Sequence, residues 1–263
     1  MRPPANILLL ILAAAAVLVP VQAFAVSTTF NFAGTDGGTR FASAEFVLDG
    51  STLQLTLANT SPFAAHDQTY ILTAVFFDLL PANPLPVLTP SSAVLAPGSV
   101  AQTNNVNNSP QPAGGVVGGE WAYAHGADAN HPLQYNSDQG ISSAGFWLFG
   151  AGNFPGPNLE GPVSVDGVQY GLVGPAGIAN DASGGLGKNS VIRNAAVFTL
   201  TDGDLTGYTV GNVVFQYGTD LCDPHFVPGG GGQPPPVPEP LTVIGVFAGL
   251  CGLAGYVRKR TRA

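Results

Sequence analysis

Apolar and polar side chains alternate along most of this chain, and the period is two rather than 3.6. Between Ala42 and Leu48, Ala44, Phe46 and Leu48 share one face and Glu45 takes the other. Leu53, Leu55 and Leu57 then alternate with Gln54 and Thr56. Asp49-Gly50 lies between these runs and accepts the positive φ of a tight turn, so the pattern predicts a hairpin. Thr28 to Phe32 alternates in the same way and predicts a first strand. Tyr70 to Leu79 is almost wholly apolar, as a central strand buried on both faces would be, and Pro81, Pro84 and Pro86 stop it.

The remaining pattern is more broken. Residues 97–119 are rich in Asn, Gln, Gly and Pro and read as a long surface excursion. Residues 120–161 hold short apolar islands, Trp121-Ala-Tyr123 and Gly145-Phe-Trp-Leu-Phe149, which predict loops with one or two strands. Val163–Val165 and Val168–Leu172 flank Asp166-Gly167 and suggest a second small hairpin. Residues 174–189 read as loop. Val191–Leu200 and Tyr208–Tyr217 predict the last two strands, joined by a turn over Thr201–Gly207. Strands separated by turn chemistry, without helical periodicity, predict an all-β fold. It is expected to be a single β-sandwich, jelly-roll-like or immunoglobulin-like, over residues 26–226.

Two apolar segments fall outside that pattern. At the N-terminus, Arg2 precedes an uncharged stretch from Ile7 to Val19, and Ala23-Phe24-Ala25 fits the small-x-small site of a signal peptide over residues 1–25. An uncleaved anchor helix is the alternative. At the other end, Leu241 to Val257 is apolar and uncharged, with Arg258, Lys259, Arg260 and Arg262 directly after it. A helix of that length reaches about 25 Å at about 1.5 Å per residue, the low end of what spans a bilayer core. The basic cluster places that end in the cytoplasm and the large middle segment on the other side. Gly229 to Gly232 and Pro234 to Pro236 make residues 227–237 a linker, flexible and then stiff.

Pro238-Glu239-Pro240, the Gly-rich apolar run and the terminal basic cluster together resemble a PEP-CTERM sorting signal over residues 238–263. The resemblance covers about a tenth of the chain. It implies recognition by an exosortase, a membrane-embedded cysteine protease-transpeptidase of Gram-negative bacteria. It also implies removal of the tail at or near the motif, and delivery to the cell surface or extracellular matrix of an organism that makes exopolysaccharide. The implied partners are the export translocon, the exosortase, the membrane through the C-terminal helix before processing, and exopolysaccharide.

Charge narrows the partners further. Between Val26 and Val237, Arg40, Lys188 and Arg193 stand against fifteen acidic residues, a balance of −12. Such a surface repels nucleic acid and anionic lipid. The chain has two cysteines, Cys222 and Cys251, and Cys251 lies in the apolar run, so no disulfide framework is expected.

Candidate chemistry is sparse, and no catalytic residue, metal site or cofactor is expected. Glu120, His125, Asp128 and His131 include zinc-ligand types, but without His-Glu-x-x-His or a regular element to align them. Asp202, Asp204, Asp220, Asp223 and His225 surround the last strand; calcium uses such oxygens, and turn-forming aspartate is the plainer reading. Ser142-Ser143 lacks the Gly-x-Ser-x-Gly context of a hydrolase. Trp121, Tyr123 and Trp147 are candidates for stacking on sugars if exposed, or for the core if not. The expected function is that of an exported, non-enzymatic surface or matrix protein linked to exopolysaccharide or adhesion. A carbohydrate-binding module and an extracellular hydrolase are the alternatives.

Overall fold

The computed structural model describes residues 25–33, 40–81, 85–103, 111–126, 133–144, 167–183, 186–201, 203–220 and 222–228. Ala23, Trp147, linker residues 229–237 and the sorting signal with its apolar run lie outside them. Among the described residues no helix is long and apolar enough to cross a membrane. They form an all-β structure of two sheets packed face to face.

Alternation decides the first sheet. In β1 (Val26–Ala33), Thr28, Phe30 and Phe32 point inward while Ser27, Thr29 and Asn31 are exposed. β2 (Phe41–Asp49) and β3 (Thr52–Asn59) form the expected hairpin, with Asp49 opposite Thr52. The turn sits one residue further along than Asp49-Gly50: the two-residue loop is Gly50-Ser51. Gly50 supplies the positive φ, 57°, that this connection needs. β4 (Leu72–Leu80) is buried on both faces along all but its last residue. Tyr70, expected in that strand, belongs instead to a 3-10 turn that Asp67 caps through Thr69.

The Pro-rich middle of the chain hides two strands, β5 (Thr89–Leu95) and β6 (Val100–Gln102). β7 (Ala122–His125) and β8 (Gln139–Ser142) pair with each other. Of the expected second hairpin, residues 163–166 lie outside the described set. Val168–Gly171 is a turn, and only β9 (Leu172–Val173) is extended. The run from Val191 to Leu200 is not one strand. It divides at Asn194, whose φ is 83°, into β10 (Val191–Arg193) and β11 (Ala195–Thr201). β12 (Thr209–Tyr217) and the two-residue β13 (His225–Phe226) complete the order.

The five-stranded sheet runs β1-β2-β3-β11-β5, antiparallel throughout. The eight-stranded sheet runs β13-β12-β4-β9-β10-β6, with β8 also on β4 and β7 outside β8. Only β9 and β10 are parallel. The chain therefore changes sheets at Asn194, a bend of the kind that makes sandwich corners. The Asn194 main chain accepts from Asn59 N (3.0 Å) and donates to Val173 O (2.9 Å), so one residue ties both sheets.

The core between the sheets is aromatic and aliphatic. Phe46 of β2 meets Phe77 of β4 at 4.9 Å between ring centres, and Trp121 meets Phe198 of β11 at 4.8 Å. At one margin Phe32 of β1 stacks on Phe226 of β13 at 4.2 Å. Two polar side chains reach main chain across the core: Asn59 Nδ2 donates to Leu172 O at 2.9 Å, and Tyr217 Oη donates to Phe41 O at 3.0 Å. Arg40 is buried; it donates to Thr69 O at 2.7 Å and lies 4.6 Å over the Tyr70 ring.

Candidate functional site

The residue types singled out along the chain largely serve the fold. Trp121 and Tyr123 are buried. The Trp121 indole donates to Tyr170 O at 3.2 Å, and the Tyr123 hydroxyl donates to Gln139 Oε1. Burial raises the Tyr123 phenol well above its ordinary range. Neither ring offers a face to a sugar. Ser142 and Ser143 are fully buried: Ser142 Oγ donates to Thr73 O (3.1 Å) and accepts from Ala144 N (2.9 Å), while Ser143 Oγ donates to Gly167 O (3.3 Å). These hydroxyls hold main chain.

The zinc-type group is not brought together among the described residues. Glu120 is buried and accepts from Gln169 Nε2 at 2.9 Å, His125 contacts Gly126 O, and Asp128 and His131 lie outside the described residues. The aspartates after β12 build turns. Asp223 Oδ2 accepts from Thr219 N (2.8 Å) and Asp220 N (3.0 Å), and Asp220 Oδ1 accepts from Cys222 N (2.8 Å). Asp204 Oδ1 accepts from Thr206 N (3.1 Å), and hydrogen bonds from the Thr206 side chain first and its main chain second hold the Asp204 carboxyl below the usual range. Asp202 lies outside the described residues. The Cys222 thiol is exposed, and a hydrogen bond to Asp220 and the charge of that carboxylate push its pKa up. No three His, Cys, Asp or Glu side chains converge as a metal site among the described residues.

Two polar groupings had no local signal. Asp78 Oδ1 accepts from Asp138 N at 2.9 Å, and Asn212 Nδ2 donates to Asp78 Oδ2. Burial and the Asp78 charge raise the Asp138 carboxyl. His66 Nδ1 lies 3.1 Å from Asp181 Oδ1, both largely exposed.

An open cleft lined by described residues lies on the outer side of the eight-stranded sheet. Its floor comes from the β6–β10 ladder, where Ala101 is opposite Ile192, Gln102 opposite Val191 and Val100 opposite Arg193. Ile192 belongs to the core between the sheets and Ala101 is opposite it, so the pleat sends Gln102, Val191 and Arg193 to the other face. There Ile71, Val173, Ile178, Leu186 and Val191 make a second apolar cluster. The rim comes from a parallel bridge between Ala65 and Ile178, flanked by Ala65 N to Gly177 O (2.8 Å) and Ala179 N to Ala65 O (2.9 Å). Gln102, Asn180 and Arg193, with Ala64, Ala176 and Ala179, enclose about 450 Å³. Gly177 has φ 73°, and a Cβ there would come 2.5 Å from Gln102 Oε1. The positive φ favours glycine at this position.

Comparison of the chain with protein-family models, curated proteins and solved structures finds no match.

Proposed function

We propose that this chain is an exported, exosortase-processed protein of the cell surface or extracellular matrix, non-enzymatic, and associated with exopolysaccharide or adhesion. In this reading residues 1–25 are a signal peptide cleaved after Ala25. Residues 238–263 are a PEP-CTERM signal that holds the precursor in the inner membrane until an exosortase removes it. The sandwich, jelly-roll-like or immunoglobulin-like, is the part delivered outside.

The observation that carries the reading is where the strands lie. Among the described residues they run from Val26, directly after the Ala-x-Ala site, to Phe226, just before the glycine run. In this reading the two terminal segments bracket a β-rich body. The acidic balance of that body and its few charges suit an exposed, soluble extracellular surface.

The chemistry of sorting belongs to the processing enzyme, and this chain is its substrate. Replacing Pro238, Glu239 and Pro240 with alanine in the native host is expected to accumulate a larger, membrane-bound form. Immunoblots of cell fractions and mass spectrometry of the mature C-terminus read the result. Processing that proceeds unchanged at the same bond would overturn the assignment.

A further inference from the structure

β1 lies at one margin of the five-stranded sheet, and among the described residues only its β2 side is paired. We propose that its other side joins β1 of a second copy of this chain, antiparallel and about a two-fold axis, so that one sheet runs through both copies. This goes beyond the sorting reading and does not depend on it.

An open edge presents a row of main-chain N–H and C=O groups, and proteins guard such edges with short strands, charge, proline, bulges or a covering loop. The other margins among the described residues are guarded in these ways. β5 carries Pro90 and shifts register against β11 between Thr199 and Leu200. Its outer side is taken by the Val94–Val116 bridge and by Val117 N, which donates to Ala93 O at 2.9 Å. β6 has three residues, and the Gln111 amide clamps it: Nε2 donates to Ala101 O (2.9 Å) and Oε1 accepts from Ala101 N (2.8 Å). β7 has four residues and β13 two. β1 has eight, all in unbroken register with β2. Its sequence, Val-Ser-Thr-Thr-Phe-Asn-Phe-Ala, holds no charge and no proline.

A second copy follows from face and charge. On the sandwich side Thr28, Phe30 and Phe32 keep 4%, 6% and 8% of their surface exposed, whereas Phe46, Leu55 and Phe198, deeper in the sheet, keep 0%. A strand laid beside β1 must therefore turn apolar or hydroxyl side chains inward to complete that cover. It must also be uncharged, because the body is acidic and Glu45 stands on the outer face opposite Thr29. β1 itself meets both conditions. Opposed residues of antiparallel strands share a face, so the two-fold must run through a residue paired with its own copy. With Phe30 at the axis, Thr28 meets Phe32 of the other copy on the inner side and Thr29 meets Asn31 on the outer side. Aromatic and hydroxyl pairs of this kind favour pairing. With the β5 margin covered, assembly closes at two copies.

The test is sedimentation of the full-length chain in detergent over a range of concentrations, with hydrogen exchange of the Val26–Ala33 amides on the same samples. Reducing conditions remove any bond between exposed Cys222 thiols. A monomer–dimer equilibrium is expected, with the β1 amides exchanging more slowly in the dimer. Thr29→Lys combined with Asn31→Lys, both at exposed positions, sets like charges opposite each other at the seam. This double variant is expected to raise the dissociation constant by about tenfold or more, with the melting temperature of the monomer unchanged. The exchange measurement needs no variant and decides the matter if the doubly substituted chain fails to fold. A monomer at every concentration, or an open series of larger species, would overturn the proposal. So would a dimer that ignores the two lysines, or one whose β1 amides exchange as in the monomer; both are expected of association through the apolar tail. Cleavage at the sorting motif is read by the mature C-terminus, so failure of the seam and failure of the sorting assignment are separate results.

Discussion

The two sheets share one core but differ on their second faces. On the five-stranded sheet the outer positions of β1 and β2, such as Thr29, Asn31 and Glu45, are open to water. On the eight-stranded sheet β4 is buried on both sides. Val75, Phe77 and Leu79 face the sandwich, while Ala74 and Phe76 lie under Leu133, Tyr135 and Ala144. Further along, Ile71, Val173 and Val191 are covered by the bridge at Ala65 and Ile178. A bare pleated face is nearly flat and encloses nothing. A face crossed by irregular loops acquires hollows, and the cleft at Gln102, Asn180 and Arg193 lies there.

Paired substitutions break or sharpen that contrast. The largest effect is expected in β4: Phe77→Ala and Phe76→Ala should each cost about 3–5 kcal/mol in urea unfolding, although their rings point in opposite directions. Gln54→Ala, on the open face of β3, should change stability by no more than about 0.5 kcal/mol. Equal costs at Phe76 and Gln54 would remove the distinction between the sheets.

Next comes the residue that joins them. Asn194 has positive φ and donates from its side chain to Gly98 O at 3.4 Å. Asn194→Ala should cost about 1–2 kcal/mol, and Asn194→Gly should cost less, because glycine adopts that conformation freely. The same urea midpoints measure both.

The smallest effect is one of pH. Tyr135 donates to Gln216 from the covered face, and desolvation pushes its phenol up to about 12. The folded state therefore holds this proton more tightly than the unfolded chain, whose tyrosine titrates near 10. The resulting stabilisation is fully present below that lower value and is lost as pH rises towards 12. Tyr135→Phe should flatten part of the decline in melting temperature across that window, leaving the part due to Tyr123.

Legibility in sequence followed the same division. Ala44, Phe46, Leu48 and the three leucines of β3 alternate cleanly because one face of their sheet is wet. β4 was legible as a continuous apolar run because neither face is. β5 was not, because Thr-Pro-Ser-Ser at its start carries little apolar signal and finds its place only against β11. The break at Asn194 was hidden inside an unbroken strand pattern; only the asparagine itself, tolerant of positive φ, hinted at a corner. The cleft was invisible because Gln102, Asn180 and Arg193 come from separate stretches that the sheet and its covering loops bring together. The scarcity of basic residues was the one available clue. For Trp121 and Tyr123 it was the core alternative, not the stacking one, that matched their place in the fold.

β13 holds its neighbours by two facing pairs, Phe226 with Phe215 and His225 with Gln216, plus the Phe226–Phe32 stack. The linker residues follow immediately. Any mechanical load drawn through the C-terminal end enters the body at this two-pair ladder. It would peel two residues with their ring contacts before it reached β12, whose ladder with β4 is far longer. A pull on that end is thus spent on a sacrificial tab before it reaches the longer ladders behind.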